Sequence, residues 1–185
     1  MLLVLPSALH LPDYVAALRR GWSADTARAA QASQDELAEI EADAAAYLAR
    51  QHNPRGGGEV TLPDGSRVQR LPGTRRWILA DDGRVAGLIN LRWAPGTTAL
   101  PPHVLGHIGY AVMPWYRRQG LARRALAALL PEARALGLAW VELTTDPDNL
   151  ASQGVILANG GQLVEHFIKP AAHGGTPGLR YRILL

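Results

Sequence analysis

The sequence predicts a mixed α/β fold, with hairpins building a sheet first and alternating helices and strands placing helices on its faces later. Three observations carry this. β-rich runs flank two Gly-containing turns, at residues 63–66 and 81–83. From residue 121 onward, segments of helical length alternate with short apolar strands. A chain of 185 residues, 48% of them apolar, can bury one core without covalent staples. The expectation is a single domain over residues 1–185, helical in residues 1–58 and sheet core in residues 59–185.

Residues 11–20 read as a short helical segment. Ser23 is the expected N-cap of an Ala-rich helix running toward Arg50, which Pro54 and the glycines at 56–58 stop. Residues 59–62 and 67–71 form one hairpin, and residues 76–80 and 85–92 a second. A Pro-, Gly- and Thr-rich loop at 94–102 precedes a strand over 104–112. Residues 121–136 form a helix ended by Gly137, although Pro131 should kink or interrupt it. Residues 139–145 are a strand, 151–159 a helix ending at Gly160-Gly161, and 163–168 and 179–185 closing strands.

Composition removes several function classes. The chain has no cysteine, which excludes disulfides, Cys-zinc and iron–sulfur sites and thiol catalysis. The apolar start, Met1 to Pro6, has no basic segment and is not read as a signal peptide. The longest uncharged run, 93–116, holds Pro95, Pro101 and Pro102 and is not a membrane span, so a cytoplasmic location is expected. The formal charge of +3 is too small to indicate nucleic acid. Its distribution is more telling. Residues 83–131 contain no Asp or Glu, and Arg117, Arg118, Arg123 and Arg124 crowd one strand-to-helix junction within them. Residues 35–43 carry five acids and no Lys or Arg, which reads as a solvated helix face.

At that junction, Arg117-Arg118-Gln119-Gly120-Leu121-Ala122 follows an apolar strand and opens a helix. A helix start presents main-chain N–H groups without intrahelical acceptors, and its dipole favours an anion. Gly120 permits a positive φ and Ala122 keeps the turn small. The string is neither a phosphate-binding P-loop nor a dinucleotide fingerprint.

The stretch from His107-Ile108-Gly109-Tyr110 through the Arg-x-x-Gly-x-Ala turn resembles the central motif of the GNAT superfamily of N-acetyltransferases. Asp146-Pro147-Asp148-Asn149-Leu150-Ala151-Ser152 and Arg180-Tyr181 resemble its later blocks, in the bacterial branch with a His-Ile-Gly-Tyr strand. That resemblance implies a mostly antiparallel central sheet with helices on both faces and a splay between two parallel strands, 105–112 and 139–145. It further implies that the pantetheine arm of acetyl-CoA lies in the splay. Val112 would supply main-chain bonds and the oxyanion N–H. The amides of Gln119, Gly120, Leu121 and Ala122 would receive the diphosphate, flanked by Arg117 and Arg118. Arg123 or Arg124 would meet the 3′-phosphate, and Asn149 and Ser152 would lie beside the cofactor arm. For Asn149 a helix N-cap role is equally open, and for Ser152 a first-turn position.

Acetyl transfer to an amine needs a base for the ammonium and an acid for the leaving thiolate. Many family members place a tyrosine seven residues after the Asn, where this chain has Ile156. His107 and Tyr110 are the expected substitutes. His107 has the right reference pKa, about 6.5, but is equally readable as structural. Tyr110 shares the Val112 face of the strand by alternation. His166 and Tyr181 are more distant alternatives, and His103 with His107 lacks a third metal ligand. The implied partners are acetyl-CoA and an amine acceptor, with no metal, nucleic acid or membrane, and a homodimer is compatible with this reading. Residues 20–58 and 93–106 would shape the acceptor site, with Glu36 and Glu39 attracting a cationic amine. A non-catalytic CoA-binding or sensing domain is the alternative.

Overall fold

In the computed structural model, which describes residues 1–25, 28–61 and 65–185, the elements run β1 (Leu2–Val4), α1 (Leu11–Arg19), α2 (Ala29–Ala42), α3 (Ala44–Arg50), β2 (His52–Asn53), β3 (Glu59–Thr61), β4 (Arg67–Gln69), β5 (Gly73–Leu79), β6 (Val85–Arg92), β7 (Ile108–Val112), α4 (Leu121–Ala135), β8 (Trp140–Thr145), α5 (Leu150–Leu157), β9 (Gln162–Ile168) and β10 (Pro177–Leu184). They divide between two units. Unit 1 comprises residues 1–53, 74–90 and 110–125, and unit 2 comprises residues 54–73, 91–109 and 126–185. The mixed α/β class with antiparallel pairing is as the sequence predicts, and the described residues hold five α-helices where four were expected.

In unit 1 the strands run in the order β1-β5-β6-β7, with β2 also on β5. Helix α1 is amphipathic, burying Tyr14, Ala17 and Leu18 at helical spacing. These join Trp22, Ile40, Tyr47, Trp77, Leu88 and Met113 in one core, where Tyr14 stacks on Trp77 at 4.9 Å. Each large apolar side chain so buried contributes about 1.5–3 kcal/mol. Glycine at position 87 lets β6 and β7 approach, because a Cβ there would collide with the Ala111 carbonyl oxygen.

In unit 2 the order is β8-β10-β9, antiparallel throughout, and β3 pairs with β4 as a separate hairpin. The two strands expected to diverge thus end different sheets: β7 is the last strand of one and β8 the first of the other.

Several elements differ from expectation. The helix expected from Ser23 to Arg50 is two helices. Asp43 is extended (φ −159°, ψ 92°) and its carboxylate accepts the Ala46 N–H at 2.9 Å, ending α2 and capping α3. The Ser23 hydroxyl accepts from the Asp25 N–H at 3.1 Å, serving a local turn rather than a helix start. Strand β7 begins at Ile108 rather than 104. Helix α4 runs continuously across Pro131. The proline withholds one N–H from Ala127, while Leu121, Ala125, Leu126, Leu129 and Ala133 all bury their side chains. Strand β1 was not anticipated; it pairs Leu3 with Ile78 and Val4 with Trp77. Leu62 and the first half of the expected turn at 63–66 lie outside the described residues.

Candidate active site

The junction after β7 is built from backbone conformations that few residues adopt. A short 3₁₀ turn, Pro114–Tyr116, leads into Arg117 (φ −69°, ψ 165°), then Arg118 at φ 62° and Gly120 at φ 68°. A left-handed φ at an arginine costs about 1–2 kcal/mol. Glycine avoids that cost at 120, where a Cβ would meet nothing within 4 Å. The Arg124 N–H bonds the Gly120 carbonyl at 3.0 Å, so Gly120 caps α4 and the N–H groups at 121 and 122 precede its first intrahelical bond. Residues 117–120 are exposed. The geometry is that of an open anion-binding helix start.

The flanking arginines are not equivalent. Arg117 donates from Nε to the Val112 carbonyl at 3.2 Å, tying the turn back to the end of β7. Arg124 donates to the Gln119 carbonyl at 3.4 Å and lies 3.6 Å from the Asp81 carboxylate. Asp81, which also holds the N-terminal ammonium, has its carboxyl drawn below the usual range by that ammonium and by Arg124. Asp81, two residues before the acid-free stretch begins, therefore reaches one of its arginines.

His107 is buried, and both ring nitrogens are used. Nδ1 accepts the Glu142 N–H at 2.9 Å, which makes Nε2 the protonated nitrogen, donating to the Thr98 carbonyl at 2.9 Å. The main chain joins in: the His107 N–H donates to Glu142 at 2.7 Å and its carbonyl accepts from Arg92 at 2.9 Å. A Cβ at Gly106 would lie 2.8 Å from the Glu142 carbonyl oxygen. Residues 106 and 107 thus stitch the start of β7 to β8. Burial lowers the imidazole pKa, against the Thr98 bond and the Glu142 charge, which raise it. In this arrangement the ring has no nitrogen left for proton transfer.

Tyr110 is half-buried in the middle of β7. Asn149 caps α5, its carbonyl oxygen accepting the Ser152 N–H at 3.0 Å. That places Ser152 in the first turn, both residues in the positions their structural readings anticipated. Ile156 is fully buried, and a Cβ on Gly161 would collide with its side chain. Tyr181 is buried and bonds Gln153 at 3.3 Å, while His166 is exposed on β9. Arg180 bonds the Leu105 carbonyl at 3.0 Å, Glu142 at 3.2 Å and Glu165 at 2.7 Å, so it positions structure in unit 2.

The acidic run is the solvated face expected at Asp35, Glu39, Glu41 and Asp43, which are exposed, but not at Glu36. Glu36 accepts from Tyr14 at 3.0 Å, Tyr47 at 2.5 Å and Arg75 at 3.1 Å, all at one oxygen. Burial, with the Glu36 carboxylate and against Arg75, pushes both phenols well above their ordinary range. Glu39 pairs with Arg50, Asp35 with Arg28, and Glu41 with Arg19. Helix packing brought these cations in from positions 19, 28, 50 and 75, which a scan of residues 35–43 does not see. The expected attraction of a cationic amine by Glu36 is thereby corrected: its charge is already compensated.

Sequence reading missed one further group. Arg70, Arg92, His103 and His173 line a cavity of about 440 Å³ in unit 2. They are scattered over a hundred residues, and no local pattern links them.

A family model described as the acetyltransferase (GNAT) family matches residues 32–160. Among solved structures, the fold resembles a putative ribosomal-protein-serine acetyltransferase from Vibrio cholerae (17% identity, TM-score 0.61, covering 99% of this chain and 92% of that one). It also resembles the microcin C7 self-immunity acetyltransferase MccE in complex with acetyl-CoA and AMP (12%, 0.61, 99% and 91%). A third is the RimL ribosomal L7/L12 alpha-N-protein acetyltransferase in complex with coenzyme A (14%, 0.62, 99% and 93%). No curated protein matches the sequence.

Proposed function

Because the chain belongs to the acetyltransferase (GNAT) family of acyltransferases, we infer that it transfers the acetyl group of acetyl-CoA to a primary amine, using the turn at 117–122 for the cofactor diphosphate. The observation that carries this reading is the turn itself. Two left-handed residues, Arg118 and Gly120, open a helix whose first N–H groups face no intrahelical acceptor. Structures of like fold contain acetyl-CoA or CoA, which supports the same assignment.

In this reading the N–H groups of Gln119, Gly120, Leu121 and Ala122 bind the diphosphate, with Arg117 and Arg118 beside it and Arg123 or Arg124 toward the 3′-phosphate. β7 ends its sheet, so the main-chain groups of Val112 on that edge can bond an extended amide-bearing arm. Acetyl-CoA supplies the thioester. The amine nitrogen bonds to the carbonyl carbon, the carbon–sulfur bond breaks, and the thiol leaves with a proton while the amine gives one up. The Val112 N–H is the assigned oxyanion donor. With Ile156 apolar and buried and the nitrogens of His107 engaged, Tyr110 is assigned as the acid for the thiolate. Asn149 and Ser152, joined in the cap that orders the start of α5, are the residues of that helix assigned to the cofactor. His107 is assigned to positioning β7 rather than to proton transfer.

Two measurements test this. Acetyl-CoA should raise Tm, and an unshifted protein at millimolar cofactor refutes the assignment. Tyr110→Phe should lower kcat by about 10²-fold or more, the low end for an acid–base group, with acetyl-CoA affinity unchanged. Equal kcat would remove Tyr110 from the mechanism.

A further inference from the structure

The cavity lined by Arg70, Arg92, His103 and His173 contains no Asp or Glu among its lining residues, and its volume of about 440 Å³ lies in the range of small-molecule sites. Several acids of unit 2 pair with cations outside the cavity lining. Glu142 holds Arg180 and Arg182 on its two oxygens, Asp146 holds Lys169, and Glu59 holds Arg67. The Arg92 guanidinium reaches β7, with Nη2 3.9 Å from where a Cβ on Gly109 would stand. Ile108 and Gly109, which also line the cavity, open the strand whose far end is Val112. An arm that enters at the turn after β7 and runs back along Val112 carries its thioester toward these first residues of the strand.

We propose, resting on the acetyl-transfer reading above, that this cavity is the acceptor site and that it takes a small primary amine bearing an anionic group, a carboxylate or a phosphate. Arg70 and Arg92 supply planar donors suited to either anion. The rest of the lining is mostly apolar and accommodates a short carbon skeleton. The same cations act on the reacting group. Positive charge near an ammonium disfavours its protonated form, so the site promotes the neutral nucleophile without a dedicated base. That fits a site whose buried histidine is occupied by main-chain partners. A polyamine would meet these cations in a cavity whose lining holds no Asp or Glu.

The test measures acetyl transfer on matched acceptors: an α-amino acid against its carboxamide, phosphoethanolamine against ethanolamine, and spermidine as the cationic comparison. Calorimetric binding of acetyl-CoA is followed in parallel. At least one anionic member should exceed its neutral partner in kcat/KM by about ten- to a hundredfold, the scale of a charge-assisted contact. Whether the carboxylate or the phosphate pair shows that gap identifies the anion. Arg70→Gln and Arg92→Gln should each raise KM for the preferred acceptor and leave the acetyl-CoA KM within about twofold. If Arg92→Gln does not fold, Arg70→Gln, on the segment after β4, carries the test alone. Retained acetyl-CoA binding with neutral or cationic amines acetylated equally well, or with no anionic amine acetylated, overturns the acceptor assignment and leaves the cofactor site standing. Absence of acetyl-CoA binding removes the transfer reading and this proposal with it.

Discussion

Replacing His107 by alanine and by asparagine separates a positioning role from a basic one. The alanine variant removes the acceptor of the Glu142 N–H and the donor to the Thr98 carbonyl, and it empties a site that is 1% exposed. A buried donor left without an acceptor costs about 1–3 kcal/mol. Adding the vacated volume brings the total loss to about 2–5 kcal/mol. Asparagine places its amide oxygen near the position of Nδ1, restores the acceptor for Glu142, and cannot act as a base. Urea denaturation and steady-state kinetics on both variants provide the assay. His107→Asn should recover at least half of the stability lost in His107→Ala and keep kcat within about tenfold of the parent, well short of the 10²–10⁴ that a base contributes. An asparagine variant as stable as the parent, binding acetyl-CoA normally and yet slower by more than 10²-fold, would refute the positioning role. The pH dependence provides a second check. Burial holds the folded imidazole below its ordinary value of about 6.5, so the unfolded chain binds the proton first. The His107 contribution is complete above that value and is lost as pH falls through the folded pKa. His107→Asn should flatten this acid-side loss.

Other outcomes follow from the same geometry. Glu36→Ala strands Arg75 and two phenols and should destabilise unit 1 by about 3–5 kcal/mol in chemical denaturation, whereas Glu39→Gln, at an exposed pair, should cost under about 1 kcal/mol and leave KM for cationic acceptors unchanged. Gly120→Ala should cost about 1 kcal/mol for its left-handed φ, with no added clash, and a neutral result would show that the turn relaxes. Burial raises the Tyr14 and Tyr47 phenols above their ordinary value of about 10. Their contribution is present below that pH and is lost as pH rises toward the folded values, so tyrosinate absorbance from these two residues should appear only with unfolding.

The sequence made the alternation of elements legible because period and turn chemistry are local. Gly137 ends α4, the Asp81-Asp82-Gly83 turn joins β5 to β6, and Gly120 opens α4 at the expected place. What it hid was set by partners distant in the chain. Three apolar residues at the N-terminus carry no usable period, and only β5 makes them a strand. Asp43 reads as one more acid on a helix until its side chain turns back to cap the next. Glu36 looks solvated until residues 14, 47 and 75 converge on it. The turn proposed for the diphosphate was visible because a helix start, a glycine and arginines sit within eight residues. The cationic cavity was not, because its four basic residues come from four separate segments.

The central claim is that the turn at 117–122 holds the cofactor diphosphate. Calorimetric titration of coenzyme A into the parent protein and Gly120→Glu, with circular dichroism to confirm that the variant is folded, tests it most directly. A carboxylate at the mouth of the helix start should abolish binding in the variant while the parent binds coenzyme A and loses affinity for pantetheine, which lacks the diphosphate. Equal coenzyme A affinity in parent and folded variant would contradict the account.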